Sequence, residues 1–282
     1  MKQTSESTLT AQHRLRRIEG RHNAMVKELR QAFARSERTE NGDCAVEGLR
    51  IVEEAIRSGL RFRAIFFKES AQHLAERLLP QVGANVDTLL LPDKLFDDCV
   101  PTETPQGVAA LVRCKEFSLA NVLERLLVGP ILVVVGLQDP GNLGTILRSA
   151  EAFGSAGVVV GEGTVSPFNS KVVRASAGSI FRLPVVVAKA AGGIEAVSTQ
   201  LRKENVRLIA TSSHKGTPID QANLMGASAI FIGSEGSGLP RTLMAQVDEL
   251  AAIPHMPQVE SLNAGVAGSI VLYEAARQRR TQ

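Results

Sequence analysis

The chain has 282 residues, enough for two ordinary domains, and its 44% hydrophobic and 22% charged residues are typical of a globular protein. No apolar run reaches the roughly 18–20 residues that a membrane-spanning helix needs, so the sequence excludes an integral membrane protein and predicts no membrane partner. A formal net charge of +3 permits nucleic-acid binding without requiring it.

The cysteines and the N-terminus both indicate a cytoplasmic protein. Cys44, Cys99 and Cys114 are far apart in the sequence and form no C-x-x-C pair. They predict free thiols in a reducing compartment rather than a zinc site or a disulfide framework. The N-terminal segment has no apolar stretch followed by a cleavage site, so no secretory signal is expected.

Residues 1–41 predict a basic N-terminal arm, because apolar residues recur at roughly helical spacing from Leu15 to Phe33. The arm is crowded with basic residues: Arg14, Arg16, Arg17, Arg21, Lys27, Arg30, Arg35 and Arg38. Three more arginines close the chain: Arg277, Arg279 and Arg280. These charges suit solvated helix surfaces or phosphate contacts, and the sequence leaves both possibilities open.

Residues 42–114 predict a small α/β module, because strand-like and helix-like segments alternate. The module is expected to begin with a helix over Val46–Ser58 that Gly59 closes. The further expected elements are a strand at Ala64–Phe67, a helix at Ala71–Leu79, a strand at Thr88–Leu91, a helix at Asp93–Val100 and a strand at Gly107–Arg113. Residues 115–129 then predict a helical linker.

Residues 130–282 predict a second α/β domain around a parallel sheet. The first segment, Ile131–Val135, is apolar at every position, as in a central strand buried on both faces. Comparable runs follow at Val158–Val160, Val185–Val187, Leu208–Ala210, Ala229–Ile232 and Ala251–Ile253. Helical segments lie between most of them, which predicts six parallel strands with helices on both faces.

The first motif of this domain is a turn that leads into a helix ending at Gly154. Asn142 suits a helix N-cap, and Gly154 suits a left-handed residue at the helix end. Capping does not explain Arg148, a cation in the middle of a small and apolar helix, near an N-terminus whose dipole disfavours positive charge. We expect Arg148 to meet an anionic partner on the same side of the helix as Asn142.

Two further motifs follow later strands. Gly233–Gly238 predicts a loop whose backbone approaches a flat ligand, with the Glu235 carboxylate aimed at a cation or at hydroxyl groups; a plain tight turn is the alternative. Ser261 to Asn263 opens a long helix, where capping is the ordinary role of both polar residues. Interior glycines in that helix, Gly265 and Gly268, indicate close backbone or ligand contact.

Two segments that contain a histidine do not predict a catalytic role. His255 lies in a constrained loop between two prolines, where a structural role is the more common one. Ser212–Lys215 contains serine and histidine, but the chain has no G-x-S-x-G elbow, so a hydrolase triad is not expected.

Together and in this order, the three motifs resemble motifs 1, 2 and 3 of the SpoU/TrmH branch of the SPOUT RNA methyltransferases. The resemblance covers residues 130–276. Residues 44–113 resemble the substrate-binding module that often precedes this domain and is itself similar to kink-turn-binding ribosomal proteins. The residues that carry this second likeness are Glu47-Gly48, Glu54-Ala55 and Thr104-Pro105-Gln106-Gly107-Val108.

The resemblance implies a cofactor, a fold and a set of site residues. It implies S-adenosylmethionine as methyl donor, a deep C-terminal trefoil knot, which departs from the usual absence of knots, and a homodimer. It implies an active-site group made of Arg148, Asn142, Glu235, Ser261 and Asn263. It implies that the cofactor binds to backbone groups of Thr211, Gly233, Ile253 and Leu262, and it implies no metal. The family often has serine where this chain has Gly265, so one hydroxyl is missing.

The expected reaction is transfer of a methyl group to a ribose 2′-hydroxyl in structured RNA, and the attached upstream module favours ribosomal RNA. Only RNA carries this hydroxyl. Arg148 is expected to polarise the hydroxyl or hold a phosphate rather than act as a base, because the pKa of arginine exceeds 12. Two alternatives stay open: a tRNA ribose methyltransferase, and a non-catalytic RNA-binding protein of ribosome assembly.

Overall fold

The computed structural model describes residues 14–280, which divide into two compact units. One unit consists of the described residues up to Lys115 together with Phe168–Arg174. The other consists of Glu116–Pro167 and the described residues from Ala175 onward. None of the helices in residues 14–280 is long and apolar enough to cross a bilayer.

The first unit is built on a five-stranded mixed sheet with the strand order β1-β4-β3-β5-β2. Strand β4 runs parallel to β1 and β3, whereas β5 runs antiparallel to β2 and β3. The elements up to Lys115 are β1 (Arg16–Arg17), α1 (Ala24–Arg35), β2 (Asp43–Glu47), α2 (Leu49–Arg57), β3 (Arg61–Lys68), α3 (Leu74–Leu78), β4 (Asp87–Leu91), α4 (Asp93–Asp97) and β5 (Val108–Arg113). Short 3-10 helices at Glu69–Ala71 and Leu79–Gln81 flank α3.

The expectation of a separate arm over residues 1–41 is wrong for its described part. Strand β1 pairs with β4, and helix α1 buries Val26, Leu29 and Phe33 in the same core as the sheet residue Phe66. Asn23 caps α1, because its side chain accepts a hydrogen bond from the backbone N–H of Met25 at 2.9 Å. The start of this segment is a strand rather than a helix, and residues 1–13 lie outside the described chain.

The helix expected over Val46–Ser58 begins later than the sequence suggests. Residues Asp43–Glu47 form the fully buried strand β2, and α2 starts at Leu49. Gly48 makes the sharp turn between them with φ of +98°, a backbone conformation that favours glycine. Only one glycine separates the five residues of β2 from helix α2. The hydrophobic pattern is not interrupted there, so the strand and the helix look like one element in the sequence.

Two cysteines that are far apart in the sequence come together in this sheet. Cys44 is opposite Val112 in the antiparallel ladder, so Cys114, two residues beyond Val112, lies on the same face of the sheet. Burial raises the pKa of the Cys44 thiol well above its usual value, and the adjacent Cys114 thiol raises it further. Both side chains, and that of Cys99, are buried free thiols.

The second unit is built on a parallel sheet of seven strands with the order β10-β12-β9-β11-β6-β7-β8. The elements from Glu116 onward are α5 (Leu119–Leu123), β6 (Ile131–Val134), α6 (Pro140–Ala152), β7 (Gly157–Val160), α7 (Ser170–Ala175), β8 (Val185–Val187), α8 (Ile194–Lys203), β9 (Arg207–Ser212), β10 (Thr217–Pro218), β11 (Ser228–Ile232), α9 (Arg241–Met244), β12 (Glu249–Ala252) and α10 (Ala264–Arg280). Helix α7 up to Arg174 falls in the first unit. Single-turn 3-10 helices lie at Ser179–Phe181 and Ala188–Ala191.

All six expected strands are present, but the expected count of six is wrong because of β10. Its two residues, Thr217 and Pro218, pair with Ala251 and Ala252 at the edge of the sheet. Two residues are too few to show a strand pattern in the sequence. The parallel direction of every pairing brings the C-terminal ends of β9, β11 and β12 to one edge.

Helices α6 and α10 lie against each other over the sheet. A Cβ on Gly268 would lie 2.9 Å from a side-chain carbon of Ile146 and 3.1 Å from one of Ile232. The hydroxyls of Ser149 and Ser269 are hydrogen bonded at 2.7 Å between the two helices. The glycine at 268 therefore serves the packing of two helices of the same chain, which confirms that close contact explains its presence.

Candidate active site

A cavity of about 290 Å³ opens where strands β9, β11 and β12 end. Its volume is close to the lower end of the roughly 300–1,000 Å³ range of small-molecule sites, and its position is the one where open parallel sheets bind ligands. It is lined by Thr211, Ser212, Ser213, Ile232, Gly233, Ser234, Glu235, Ser237, Gly238, Leu239, Met244, Ile253, His255, Ser261, Leu262, Ala264 and Ala267.

The glycine-rich loop after β11 closes on itself at the rim of this cavity. Ser234 and Gly238 exchange two backbone hydrogen bonds of 3.2 and 3.0 Å. A Cβ on Gly233 would lie 2.3 Å from the carbonyl carbon of Gly238, closer than any side chain tolerates. Glycine at 233 is therefore required for the closed shape of the loop, which presents Glu235 to the cavity.

One carboxylate oxygen joins the three motifs. Oε1 of Glu235 accepts hydrogen bonds from the side-chain amides of Asn142 at 2.8 Å and of Asn263 at 2.9 Å, and from the backbone N–H of Ala264 at 3.0 Å. The amide of Asn263 also donates to Oδ1 of Asn142 at 2.9 Å. The second oxygen, Oε2, has no partner among residues 14–280 and stays available at the cavity.

The N-cap of helix α6 is Asp139 rather than Asn142. Asp139 Oδ1 accepts the backbone N–H of Asn142 at 2.7 Å, and Pro140 occupies the first turn, where its missing N–H is no loss. The Asn142 side chain is thus released from capping and reaches Glu235. At the other end of α6, Gly154 has the left-handed conformation expected of it, with φ of +72°.

Asn263 performs two tasks at the start of α10. Its Oδ1 accepts the backbone N–H of Val266 at 3.1 Å, as an N-cap does, while its amide group donates to the Glu235 network. A Cβ on Gly265 would lie 3.2 Å from Oδ1 of both Asn142 and Asn263. Glycine at 265 therefore leaves room for the two asparagines to meet.

Arg148 does not share the side of α6 that carries Asn142. Six residues correspond to about 600° of rotation, so the two side chains point about 120° apart and are separated by about 9 Å along the axis. Arg148 is exposed, and it forms no hydrogen bond or ion pair with any other residue between 14 and 280. The expectation that it lies beside Asn142 is wrong.

The other expected site residues gather at the cavity. Glu235, Ser261 and the four expected cofactor contacts Thr211, Gly233, Ile253 and Leu262 all line it. Asn142 and Asn263 reach it through Glu235. The hydroxyl of Thr211 donates to the carbonyl of Phe231 at 3.0 Å, so its side chain serves the sheet and leaves the backbone to face a ligand.

Several lining residues were not expected from the sequence. Ser212 is the last residue of β9, Ser213 follows it, and Met244 is the last residue of the short helix α9. His255, for which only a structural role was expected, also faces the cavity. Ser212, Ser213 and His255 lie at or just after the C-terminal end of a strand, a signal that is recognisable only when strand directions are known.

The cavity suits a small cationic ligand with a flat group, as S-adenosylmethionine is. The Glu235 carboxylate can stabilise the positive charge, and the glycine loop and the strand ends offer backbone hydrogen-bond groups at short range. Among residues 14–280, no three histidine, cysteine, aspartate or glutamate side chains cluster as a metal site would require.

Comparison with known proteins agrees with this geometry. The SpoU rRNA Methylase family matches residues 129–273, and the MRM3-like substrate binding domain matches residues 23–110. The second match includes helix α1, in keeping with its place in the core of the first unit.

Named relatives and solved structures extend the similarity to almost the whole chain. The chain is 32% identical to the 23S rRNA (guanosine(2553)-2'-O)-methyltransferase RlmP of Bacillus subtilis, over 92% of this chain and 98% of that protein. The SpoU methyltransferase AviRb of Streptomyces viridochromogenes, solved with S-adenosylmethionine, superimposes with a TM-score of 0.78 at 27% identity, covering 92% of this chain and 100% of AviRb. An rRNA methyltransferase of Sinorhizobium meliloti superimposes with a TM-score of 0.78 at 25% identity, covering 94% and 98% of the two chains. The chain therefore belongs to the SpoU rRNA methylase family, and it is an S-adenosylmethionine-dependent RNA methyltransferase.

Proposed function

We propose that the chain methylates a ribose 2′-hydroxyl in ribosomal RNA, with large-subunit RNA as the first substrate to test. The observation that carries the proposal is the convergence of Asn142, Asn263 and the Ala264 N–H on Glu235 at the edge of the cavity. The name of the Bacillus subtilis relative, a 23S rRNA 2'-O-methyltransferase, supports the choice of substrate.

The residues of the chain contribute position and charge to the reaction. S-adenosylmethionine would supply a methyl group bound to a cationic sulfur. The 2′-oxygen would bond to the methyl carbon in line as the carbon–sulfur bond breaks, with S-adenosylhomocysteine as the leaving group and the hydroxyl proton passing to water. The three hydrogen bonds to Oε1 fix the Glu235 carboxylate, so that Oε2 can accept a hydrogen bond from the ribose hydroxyl or from the cofactor amine. A fixed carboxylate also favours binding of the cationic cofactor.

We assign Arg148 to the RNA-facing part of the site, although it lies away from the Glu235 of its own chain. Arg148 is exposed and unpaired among the described residues, and its neighbour Ser149 bonds to α10. A guanidinium in this state can hold a phosphate or stabilise the developing negative charge on the 2′-oxygen.

An exposed apolar face on the second unit supports the homodimer. Val266 and Tyr273 of α10 are 47% and 52% exposed, large fractions for apolar side chains on one helix. Tyr273 packs edge to face on Phe153 at the end of α6, with ring centroids 5.6 Å apart, and Val128, 50% exposed, lies next to Gly154. We propose that a second copy covers this face, defined by Val128, Phe153, Val266 and Tyr273. The trefoil knot implied by the resemblance stays a prediction.

We propose that the first unit binds the RNA substrate. Fewer of its cationic side chains are free of ion pairs than its sequence suggests. Several arginines of the expected basic arm are in ion pairs: Arg16 with Asp87, Arg17 with Glu19 and Glu69, and Arg21 with Asp98. Such exposed pairs are worth only about 0–1 kcal/mol each, so phosphate groups can replace the carboxylates at small cost. Lys27, Arg35, Arg50 and Arg61 are exposed and free of ion pairs within residues 14–280.

The substrate is tested by mapping 2′-O-methyl groups in total RNA from a deletion strain, followed by methylation of the unmodified RNA in vitro with labelled cofactor. We expect one mark to disappear from ribosomal RNA and the purified protein to restore it. A mark lost from tRNA instead would support the tRNA alternative, and the absence of any lost mark together with no transfer in vitro would support a non-catalytic role. Ribosomal RNA as substrate and three reduced thiols also support action in the cytoplasm.

Arg148→Ala is expected to lower single-turnover methyl transfer by about 10²–10³, because one preorganised group that stabilises developing negative charge is lost. Arg148→Lys should fail substantially as well, since a point ammonium does not reproduce the planar guanidinium fork. Cofactor affinity should stay near that of the unsubstituted protein in both variants. Lys203→Ala, an exposed cation on α8, is the control. Unsubstituted rates in both Arg148 variants would remove this residue from the mechanism.

Val266→Asp combined with Tyr273→Asp is expected to convert a homodimer into a monomer of about 30 kDa, because two charges would have to be desolvated at the covered face. Sedimentation velocity at micromolar concentration measures the change, and Lys203→Asp on α8 provides the control. A monomeric unsubstituted protein under the same conditions would contradict the dimer.

Glu235→Gln is expected to weaken S-adenosylmethionine binding about 10–100-fold, because the neutral amide cannot stabilise the cationic sulfur or accept three N–H groups as strongly. Binding of S-adenosylhomocysteine, whose sulfur is neutral, should weaken less. Calorimetric titration of both ligands gives the comparison, with Glu195→Gln on α8 as the control. Equal losses for the two ligands would show that Glu235 acts through loop structure rather than through charge.

A further inference from the structure

His255 occupies a wall of the cofactor cavity that none of the three motifs accounts for. It follows strand β12 in the loop between Pro254 and Pro257, and it lines the same cavity as Ile253. Each proline fixes its own φ angle, which limits the backbone conformations of the loop and so restricts the position of the His255 ring.

The hydrogen bond of one ring nitrogen determines the state of the other. Nδ1 of His255 lies 2.7 Å from the carbonyl oxygen of Ile253. A carbonyl oxygen only accepts, so Nδ1 must carry the proton, and in the neutral ring Nε2 is left as an acceptor. Nε2 is buried and has no hydrogen-bond partner among residues 14–280.

A buried acceptor without a partner, in the wall of a ligand cavity, indicates a missing donor. Buried polar atoms in folded proteins are almost always hydrogen bonded, and the exceptions call for a specific reason. S-adenosylmethionine carries N–H donors at both ends, in its purine amino group and in its α-ammonium group. Either donor would satisfy Nε2.

The ring of His214 lies on the ring of His255, with centroids 5.0 Å apart and planes inclined by 34°. His214 belongs to an exposed turn after β9, where the hydroxyl of Ser212 accepts the backbone N–H of Lys215 at 3.2 Å. Since Nε2 is closed to solvent in this arrangement, a ligand gains access to it when a neighbour shifts. The exposed His214 ring is a neighbour able to do so, because its turn carries no buried side chain.

We propose that His255 is a cofactor-recognition residue whose Nε2 accepts a hydrogen bond from an N–H group of bound S-adenosylmethionine, and that the His214 ring moves aside when the cofactor binds. The proposal rests on the cofactor of the family and involves neither the RNA nor the transfer step. It assigns a ligand contact to a side chain, whereas the contacts that the resemblance implies use the backbone.

The test is calorimetric titration of the full-length protein with S-adenosylhomocysteine, which keeps both N–H donors and undergoes no reaction. His255→Phe keeps a ring and removes the acceptor, and it should weaken binding about tenfold, the value of one hydrogen bond. His255→Gln can present a carbonyl oxygen in place of Nε2 and should recover most of the affinity. His214→Ala should bind at least as tightly as the unsubstituted protein. His73→Phe, an exposed histidine of the first unit, is the matched control.

A second measurement needs no substitution. The ¹⁵N resonance of His255 Nε2 should shift upfield when the cofactor binds, as an unprotonated imidazole nitrogen does when it accepts a hydrogen bond. The absence of that shift, or unchanged affinity in a folded His255→Phe variant, would overturn the proposal.

Two analogues distinguish the donors. 5′-Methylthioadenosine keeps the purine amino group and lacks the α-ammonium group, whereas S-inosylhomocysteine has the opposite pattern. His255→Phe should weaken the binding of one analogue and leave the binding of the other unchanged. A loss of affinity for both analogues would contradict a direct contact between His255 and one N–H donor. Failure of the unsubstituted protein to bind any of these ligands would contradict the cofactor itself, and binding without RNA methylation would contradict only the proposed function.

Discussion

The site depends on a single carboxylate oxygen that accepts three N–H groups. Oε1 of Glu235 accepts hydrogen bonds from the side-chain amides of Asn142 and Asn263 and from the first backbone N–H of α10. Asn142 is 93 residues away from Glu235 in the sequence. An ionised oxygen with three donors is strongly fixed, because charge-assisted hydrogen bonds are about twice as strong as neutral ones. The orientation of Glu235 toward the cavity therefore depends on the correct packing of both helices.

That packing depends in turn on residues that make no contact with a ligand themselves. Asp139 takes over the capping of α6, so that the Asn142 side chain is free to turn toward Glu235. Gly265 leaves room between the two asparagine oxygens, and Gly268 lets α10 approach Ile146 of α6. The glycine at 265 has a physical reason, because even a Cβ there would lie 3.2 Å from both oxygens.

The sequence predicted the elements with strong patterns and the meeting of the three motifs, because parallel strands must end at one edge of a sheet. It did not predict β2, which one glycine separates from a helix, or β10, which has only two residues. It placed Arg148 on the same side of α6 as Asn142, although a spacing of six residues corresponds to about 120° between the two side chains. It predicted only a structural role for His255, because the buried Nε2 without a hydrogen-bond partner is visible only in the structure.

The polar groups that the fold leaves without partners indicate where ligands bind. In the first unit, most arginines near β1 form ion pairs with surface carboxylates. Exposed ion pairs contribute little free energy of stabilisation, so RNA phosphates can replace the carboxylates. In the second unit, the groups without a partner within residues 14–280 include Oε2 of Glu235, Nε2 of His255 and the guanidinium of Arg148. Glu235 and His255 line the cavity, and their acceptors suit a cationic cofactor rich in N–H donors, whereas Arg148 lies outside it and suits an anion. We therefore propose that cofactor and RNA are separated by charge, with acceptors in the cavity for the methyl donor and the Arg148 guanidinium on the exposed face of α6 for the nucleic acid.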